Sequence, residues 1–233
     1  MKRISPIWFM LCAFLAAAVA APAQTTPPVQ AAPSDSGVPS DATTQQAVSS
    51  DLFVRMCRVN ANLKSYKADL HVDTAMHTFP YISPALDGNV YFKQPDSLAV
   101  VFAVVPVLAS QFKKLYAHIE PPASWSALYA FEILGDDGHL TTFRLVPRKH
   151  GRVAYLDVGV DDATATIRAY RWSYEDGGYI AFDQTFTTID GNYLVNAQSG
   201  HVELSSYKAD VTSTLSHYQL NVPIDDAVFG QTN

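Results

Sequence analysis

Cysteine is almost missing from this chain, with two in 233 residues, Cys12 and Cys57. Cys12 sits in an apolar run near the N-terminus that reads as removable, so a single thiol remains and an internal disulfide is excluded. Stability must then come from an apolar core, which ~180 residues are long enough to build. Charge is scarce as well: 16% of residues carry it, and bases are the minority, 16 against 22 acids. A chain this short of lysine and arginine lacks the basic footprint that nucleic acid and anionic membrane surfaces require. Catalytic signatures are missing too. The sequence has no Gly-x-Ser-x-Gly elbow, phosphate-cradling loop, dinucleotide fingerprint, paired cysteines or His-x-x-x-His spacing. No repeat of solenoid length is present.

What is there begins with a three-part leader. Lys2 and Arg3 precede the apolar run Ile7 to Val19, and Ala21-Pro22-Ala23 places small residues where a signal peptidase cuts. The run is shorter than the ~20 apolar residues of a membrane span. Residues 1–23 therefore read as a cleaved export signal, and the product as periplasmic rather than released to the medium or held in the membrane. Cleavage leaves 14 basic and 22 acidic side chains, a formal charge of −8. Residues 24–48 are rich in Pro, Ala, Ser, Thr and Gln. Such a composition cannot bury enough surface to offset chain entropy, so it reads as a disordered linker.

Residues 49–230 read as one domain. Leu52, Phe53, Met56, Val59 and Leu63 recur at helical spacing behind a cap at Ser50 or Asp51, predicting an amphipathic helix. Cys57 beside that face reads as a small buried thiol. From Tyr66 to Asp73 apolar and polar residues alternate, as on a strand with one wet face. Strands follow at Val90–Lys93 and Leu98–Val104. After them, turn residues such as Asp136-Asp137-Gly138, Asp176-Gly177-Gly178, Asp190-Gly191-Asn192 and Ser199-Gly200 separate short runs rich in aromatic and β-branched residues, the pattern of an antiparallel meander. Pro106 to Ile119 breaks this rhythm with a helical pattern and predicts a second helix inserted between strands. The fold class is α+β, dominated by antiparallel β-structure.

Few residues suggest chemistry. Asp69, His71 and Asp73 share a strand face with His77, and carboxylates beside imidazole can bind a divalent metal. Alternating polar residues are also what any solvated strand face looks like, and that reading is preferred. The acid pairs Asp136-Asp137, Asp161-Asp162 and Asp225-Asp226 fall at turns and read as turn chemistry. A metal-assisted hydrolase using Asp69 and His71 is the weakest reading, and neither an enzyme nor a cofactor or metal is expected.

Apolar residues are more informative. Twelve Phe, twelve Tyr and three Trp exceed what a thin sheet with one helix needs. A sheet curved around a helix encloses an apolar hollow that Leu70, Val72, Met76, Val90, Phe92, Val100 and Phe102 would line from the early strands. Leu108, Phe112, Leu115 and Ile119 would cover it from the inserted helix. Periodicity alone does not separate a lined hollow from a packed core.

The order of elements resembles the LolA-like superfamily of periplasmic lipoprotein carriers and outer-membrane lipoprotein-sorting proteins. The resemblance rests on the strand Ser65-Tyr66-Lys67-Ala68-Asp69, on Gly88 to Lys93 followed by Gln94-Pro95, and on the closing stretch Tyr218 to Phe229 with Asn221, Ile224 and Asp225. It implies a curved, incomplete β-barrel covered by the N-terminal and inserted helices. The hollow would carry acyl chains of a lipoprotein or lipid, without catalysis, and hand them to a partner in the inner or outer membrane. The alternative is a sensor or interaction module of the same fold that docks on a membrane-bound partner. Carriers of that family keep an arginine on an early strand within the hollow; the first strand here offers Lys67 and no arginine.

Overall fold

The computed structural model describes residues 38–79, 81–103, 119–205 and 207–230. The expected export signal lies outside these residues, as does most of the expected inserted helix, including Leu108, Phe112 and Leu115.

The described residues open with two short helices, α1 (Asp41–Val48) and α2 (Asp51–Met56), each started by a serine whose hydroxyl accepts a backbone N–H three residues on: Ser40 from Thr43 and Ser50 from Phe53. Helix α1 falls inside the span expected to be linker. It was invisible to hydrophobic periodicity because its buried face is Thr44 and Ala47. The Thr44 hydroxyl accepts the N–H of Phe131, closing a backbone donor on the edge of the sheet. The helix expected to run on through Leu63 stops at Met56. Asn60 then takes a left-handed conformation, φ 56°, and its amide pairs both ways with the backbone of Tyr193, at 2.7 and 2.8 Å. Those bonds tie the turn to a distant strand, which a helix through this point would not allow. Cys57, expected to be buried, is exposed where α2 ends.

Ten strands follow: β1 (Ser65–Met76), β2 (Ala85–Lys93), β3 (Ser97–Phe102), β4 (Tyr129–Asp136), β5 (Leu140–Pro147), β6 (Val153–Asp161), β7 (Ile167–Tyr174), β8 (Tyr179–Ile189), β9 (Asn192–Leu204) and β10 (Tyr207–Leu220). A one-turn helix, α3 (Trp125–Leu128), precedes β4. They form one antiparallel sheet in the order β3-β2-β1-β10-β9-β8-β7-β6-β5-β4. Two meanders thus grow in opposite directions and meet where β10 returns beside β1. The edges are β3 and β4, so the connection from residue 103 to 128 links one edge to the other.

Alternation on β1 holds through the strand, with Ala68, Leu70, Val72, Thr74 and Met76 buried and Asp69, Asp73 and Ala75 exposed. The Ser199-Gly200 pair is no turn. Gly200 lies within β9 opposite Phe182, whose ring occupies the space a Cβ would need, at 2.3 Å. The glycine is there for the close approach of an aromatic ring. Register shifts on β1, β4, β6 and between Thr185 and Phe186 of β8 add residues to one strand of a pair, which bends and twists the sheet.

The concave face carries two separate apolar clusters. The larger joins α1 and α2 to β4–β9 around an aromatic nest of Phe53, Trp125, Phe131 and Phe143, with ring centroids 5.2 to 6.5 Å apart. Trp125 is fully buried and donates its indole N–H to the Glu120 carbonyl at 2.7 Å. The smaller cluster gathers Leu70, Val72, Met76, Leu86, Val90 and Leu215 on β1, β2 and β10.

Candidate functional site

Between the two clusters lies an apolar hollow of about 560 Å³. Its walls come from strands far apart in the sheet: Tyr66, Val90, Phe92 and Leu98 on β1–β3, Ile167 and Tyr170 on β7, Phe186, Tyr193 and Val195 on β8 and β9, and Leu215 on β10. In a flat sheet β3 and β7, six strand steps apart, would be separated by ~29 Å. A hollow of this size touches both, so the sheet is curled into an incomplete barrel. One end is closed by Met56 to Leu63, the end of α2 and its following turn. Ile119 and the stretch Pro121-Pro122-Ala123 border another side.

The walls are ordered by ring contacts and a few polar bonds. Tyr66 stacks on Phe92 at 5.2 Å and meets Tyr218 edge-on at 5.4 Å. A polar row crosses the apolar wall. The Ser213 hydroxyl donates to the Gln198 carbonyl oxygen, at 3.1 Å. The Gln198 amide donates to Gln184 at 2.9 Å and to the Tyr170 hydroxyl at 3.2 Å. Gln184 donates in turn to the Ile167 carbonyl on β7. Ser213, Gln198 and Gln184 are direct cross-strand neighbours on one face. The β7–β8 pairing ends at Ala169 and Asp183, so the Gln184 amide serves a β7 carbonyl beyond the ladder.

The residues expected from sequence to line the hollow divide into groups. Val90, Phe92 and Ile119 border it. Leu70, Val72 and Met76 are packed inside the smaller cluster, and Val100 and Phe102 lean against that cluster. Residues on β7–β10 form much of the wall and were not singled out from sequence, although their aromatic and β-branched runs were the available signal.

Of the four polar residues weighed as a metal site, His71 and Asp73 stay together, while Asp69 and His77 turn to other partners. His71 sits between Asp87, at 2.7 Å, and Asp73, at 3.2 Å. The hydrogen bond to Asp87, and then the nearby charge of Asp73, raise the His71 pKa above its ordinary value. Asp69 binds His217 across the strands, and His77 binds Asp210, which also takes His201 at 2.6 Å. Among the described residues no group of three or more His, Cys, Asp or Glu side chains is placed to hold a metal ion. The acid pairs do turn work. Asp137 accepts the N–H groups of Leu140 and His139, which hold its carboxyl below the ordinary range. Asp161 accepts from Ala163 and Thr164, and Asp225 from Ala227. A second recess of about 470 Å³ lies over the same stretch of β8–β10 and is bordered by Leu140, Ala169, Asp183, Thr185, Ser199 and Thr212 together with Gln184, Gln198 and Ser213 of the polar row.

No helix among the described residues is long and apolar enough to cross a membrane. No family model and no curated protein matches the chain. Solved structures do. A DUF1329 family protein from Desulfovibrio piger matches 82% of this chain and 98% of its own length, at 13% identity and a TM-score of 0.57. A LolA superfamily protein from Nitrosomonas europaea matches 80% and 97%, at 12% identity and 0.56. An outer membrane lipoprotein-sorting protein domain from Vibrio parahaemolyticus matches 76% and 94%, at 11% identity and 0.52. At such identities the likeness is one of fold: this chain has the LolA-like fold, with ten strands in one open antiparallel sheet and a few short helices among the described residues.

Proposed function

We propose that the protein is a periplasmic carrier or binding protein that holds the acyl chain of a lipid or lipoprotein in the hollow and catalyses nothing. The observation that carries this is the hollow itself, about 560 Å³ of apolar-walled space left between two clusters that are each well packed. An apolar recess open to solvent leaves its walls in contact with water, at a cost of roughly 25 cal/mol per Å² of apolar surface. An acyl chain seated there covers those walls and itself leaves water, at ~0.8 kcal/mol per buried CH₂. The leader read at residues 1–23 and the fold shared with a lipoprotein-sorting domain support the location. Delivery to a membrane partner belongs to the same proposal.

Displacement of a fluorescent long-chain probe tests it. The wild-type protein should take up the probe. Val195→Asp, which puts a carboxylate on the wall, should abolish uptake while circular dichroism shows the sheet intact. Equal uptake by the two proteins would place the probe elsewhere and remove the hollow from the function.

A further inference from the structure

We infer that one rim of the sheet rests on the surface of a zwitterionic phospholipid bilayer, with Phe79 and Tyr81 of the β1–β2 turn dipping into it. The inference stands apart from the acyl-binding reading.

The first ground is the turn itself. Phe79 is 84% exposed and Tyr81 72%, the two most exposed large apolar side chains among the described residues. They are held out on a fixed backbone. The Thr78 carbonyl accepts the N–H of Tyr81 at 2.8 Å, and behind it the Ile82 carbonyl accepts that of Met76 at 3.1 Å. The neighbouring strand β10 braces the turn: the Lys208 carbonyl accepts the His77 N–H at 2.8 Å, and the Lys208 N–H donates to the Thr78 hydroxyl at 3.3 Å. Tyr81 takes a left-handed conformation, φ 54°, that a bulky side chain seldom adopts. The two rings are thus presented to solvent by bonds that a surface turn without a partner does not require.

The second ground is where the charges lie. Antiparallel strands place their turns at two rims. The rim opposite Phe79 holds the turns at residues 94–96, 137–139, 162–166 and 190–191, with Asp96, Asp137, Asp162 and Asp190 and no lysine or arginine. The rim that carries Phe79 holds the turns at residues 77–84, 148–152, 175–178 and 205–206. Their charged residues are Arg148, Lys149 and Arg152 against Glu175 and Asp176. Lipid head groups carry phosphate, so the acidic rim is the one they repel. The hollow, bordered by Gln94 and Pro95 of the β2–β3 turn, lies toward that acidic rim and away from the contact.

The third ground is area. A buried Phe or Tyr covers ~150–250 Å², so the pair supplies roughly 300–500 Å². A stable protein–protein interface takes about 800 Å² from each partner. A bilayer sets no such requirement, and aromatic rings, tyrosine above all, favour the head-group level with the ring in and the hydroxyl in water. The chain's shortage of bases leaves no electrostatic anchor, so the contact is apolar and the lipid zwitterionic.

Co-sedimentation with dioleoylphosphatidylcholine vesicles tests this. The wild-type protein should sediment with them, and roughly 0.5 M sodium chloride, which screens charge beyond a few Å, should change the partition less than twofold. Phe79→Ser combined with Tyr81→Asn, asparagine being a residue that tolerates the left-handed backbone, should lower it at least tenfold. The same double variant should take up the fluorescent long-chain probe as the wild type does, since neither residue borders the hollow. Phe79→Trp should keep vesicle binding, and its fluorescence should be quenched by lipids brominated on their acyl chains. Wild-type protein left in the supernatant, release by salt, or equal sedimentation of the double variant would each overturn the inference. So would a dimer in vesicle-free solution that the double variant disperses, which would assign the turn to a second copy. Vesicle binding without any uptake of the long-chain probe would sink the acyl-binding reading and leave this one standing.

Discussion

The two ends of the concave face solve the same problem differently. Over β4–β8 the chain lays two helices and an aromatic nest against the sheet, and Trp125, Phe131, Phe143, Leu145 and Val158 lose all contact with water. Over β1–β3 and β10 the buried cluster is six aliphatic side chains with no described helix packed on it. A curled sheet has more inner surface than its own side chains can fill. Among the described residues, the helices pack on the larger cluster, and the hollow lies between that cluster and the smaller one.

Substitutions sharpen that contrast. The largest effect is expected in the aromatic nest. Phe131→Ala should destabilise the fold by about 3–5 kcal/mol, because the helices cannot collapse into the gap. Urea denaturation measures it, and a loss under ~1 kcal/mol would mean the nest is not the packed end. Leu70→Ala in the smaller cluster should cost less, about 2–3 kcal/mol, since the adjoining hollow lets neighbours relax. Smaller still is Leu98→Ala on the hollow wall, expected below ~1 kcal/mol, because it enlarges a space that already exists. A Leu98 loss equal to that of Phe131 would erase the distinction between the two ends.

The outer face gives the smallest effect. The His71 pKa is raised chiefly by its bond to Asp87. A raised folded-state pKa adds stability that is fully present below the unfolded value of about 6.5 and is lost as pH rises through the folded value. Asp87→Asn should lower the His71 pKa, as read by NMR titration of its ring protons, and flatten that pH dependence. No change would mean that Asp73 or solvent governs the imidazole.

How much of this could be read from residues alone follows from which forces leave a periodic mark. The alternation on β1 and the Asp-Gly turns were legible because burial on one face and positive φ demand particular residues at fixed intervals. Helix α1 was not, since a threonine hydroxyl and an alanine do its packing. Gly200 reads as a turn unless one knows that the Phe182 ring lies over it. β10 was not picked out because its small serines and threonines dilute the alternation. At the site, Val90, Phe92 and Ile119 were legible as apolar and inward. Their neighbours Leu70 and Met76 look the same in sequence and are core, because local curvature decides which inward side chain meets another and which meets space. The Gln184–Gln198–Ser213 row could not be seen, since it exists only through strand register.

Native mass spectrometry of the protein, purified from a periplasmic extract without detergent, tests the hollow most directly. The expected spectrum carries an added mass, released on unfolding and identified as an acyl-bearing lipid. A spectrum of the bare polypeptide, unchanged after incubation with monopalmitoylglycerol, would contradict the claim that the open end of this sheet exists to hold an acyl chain.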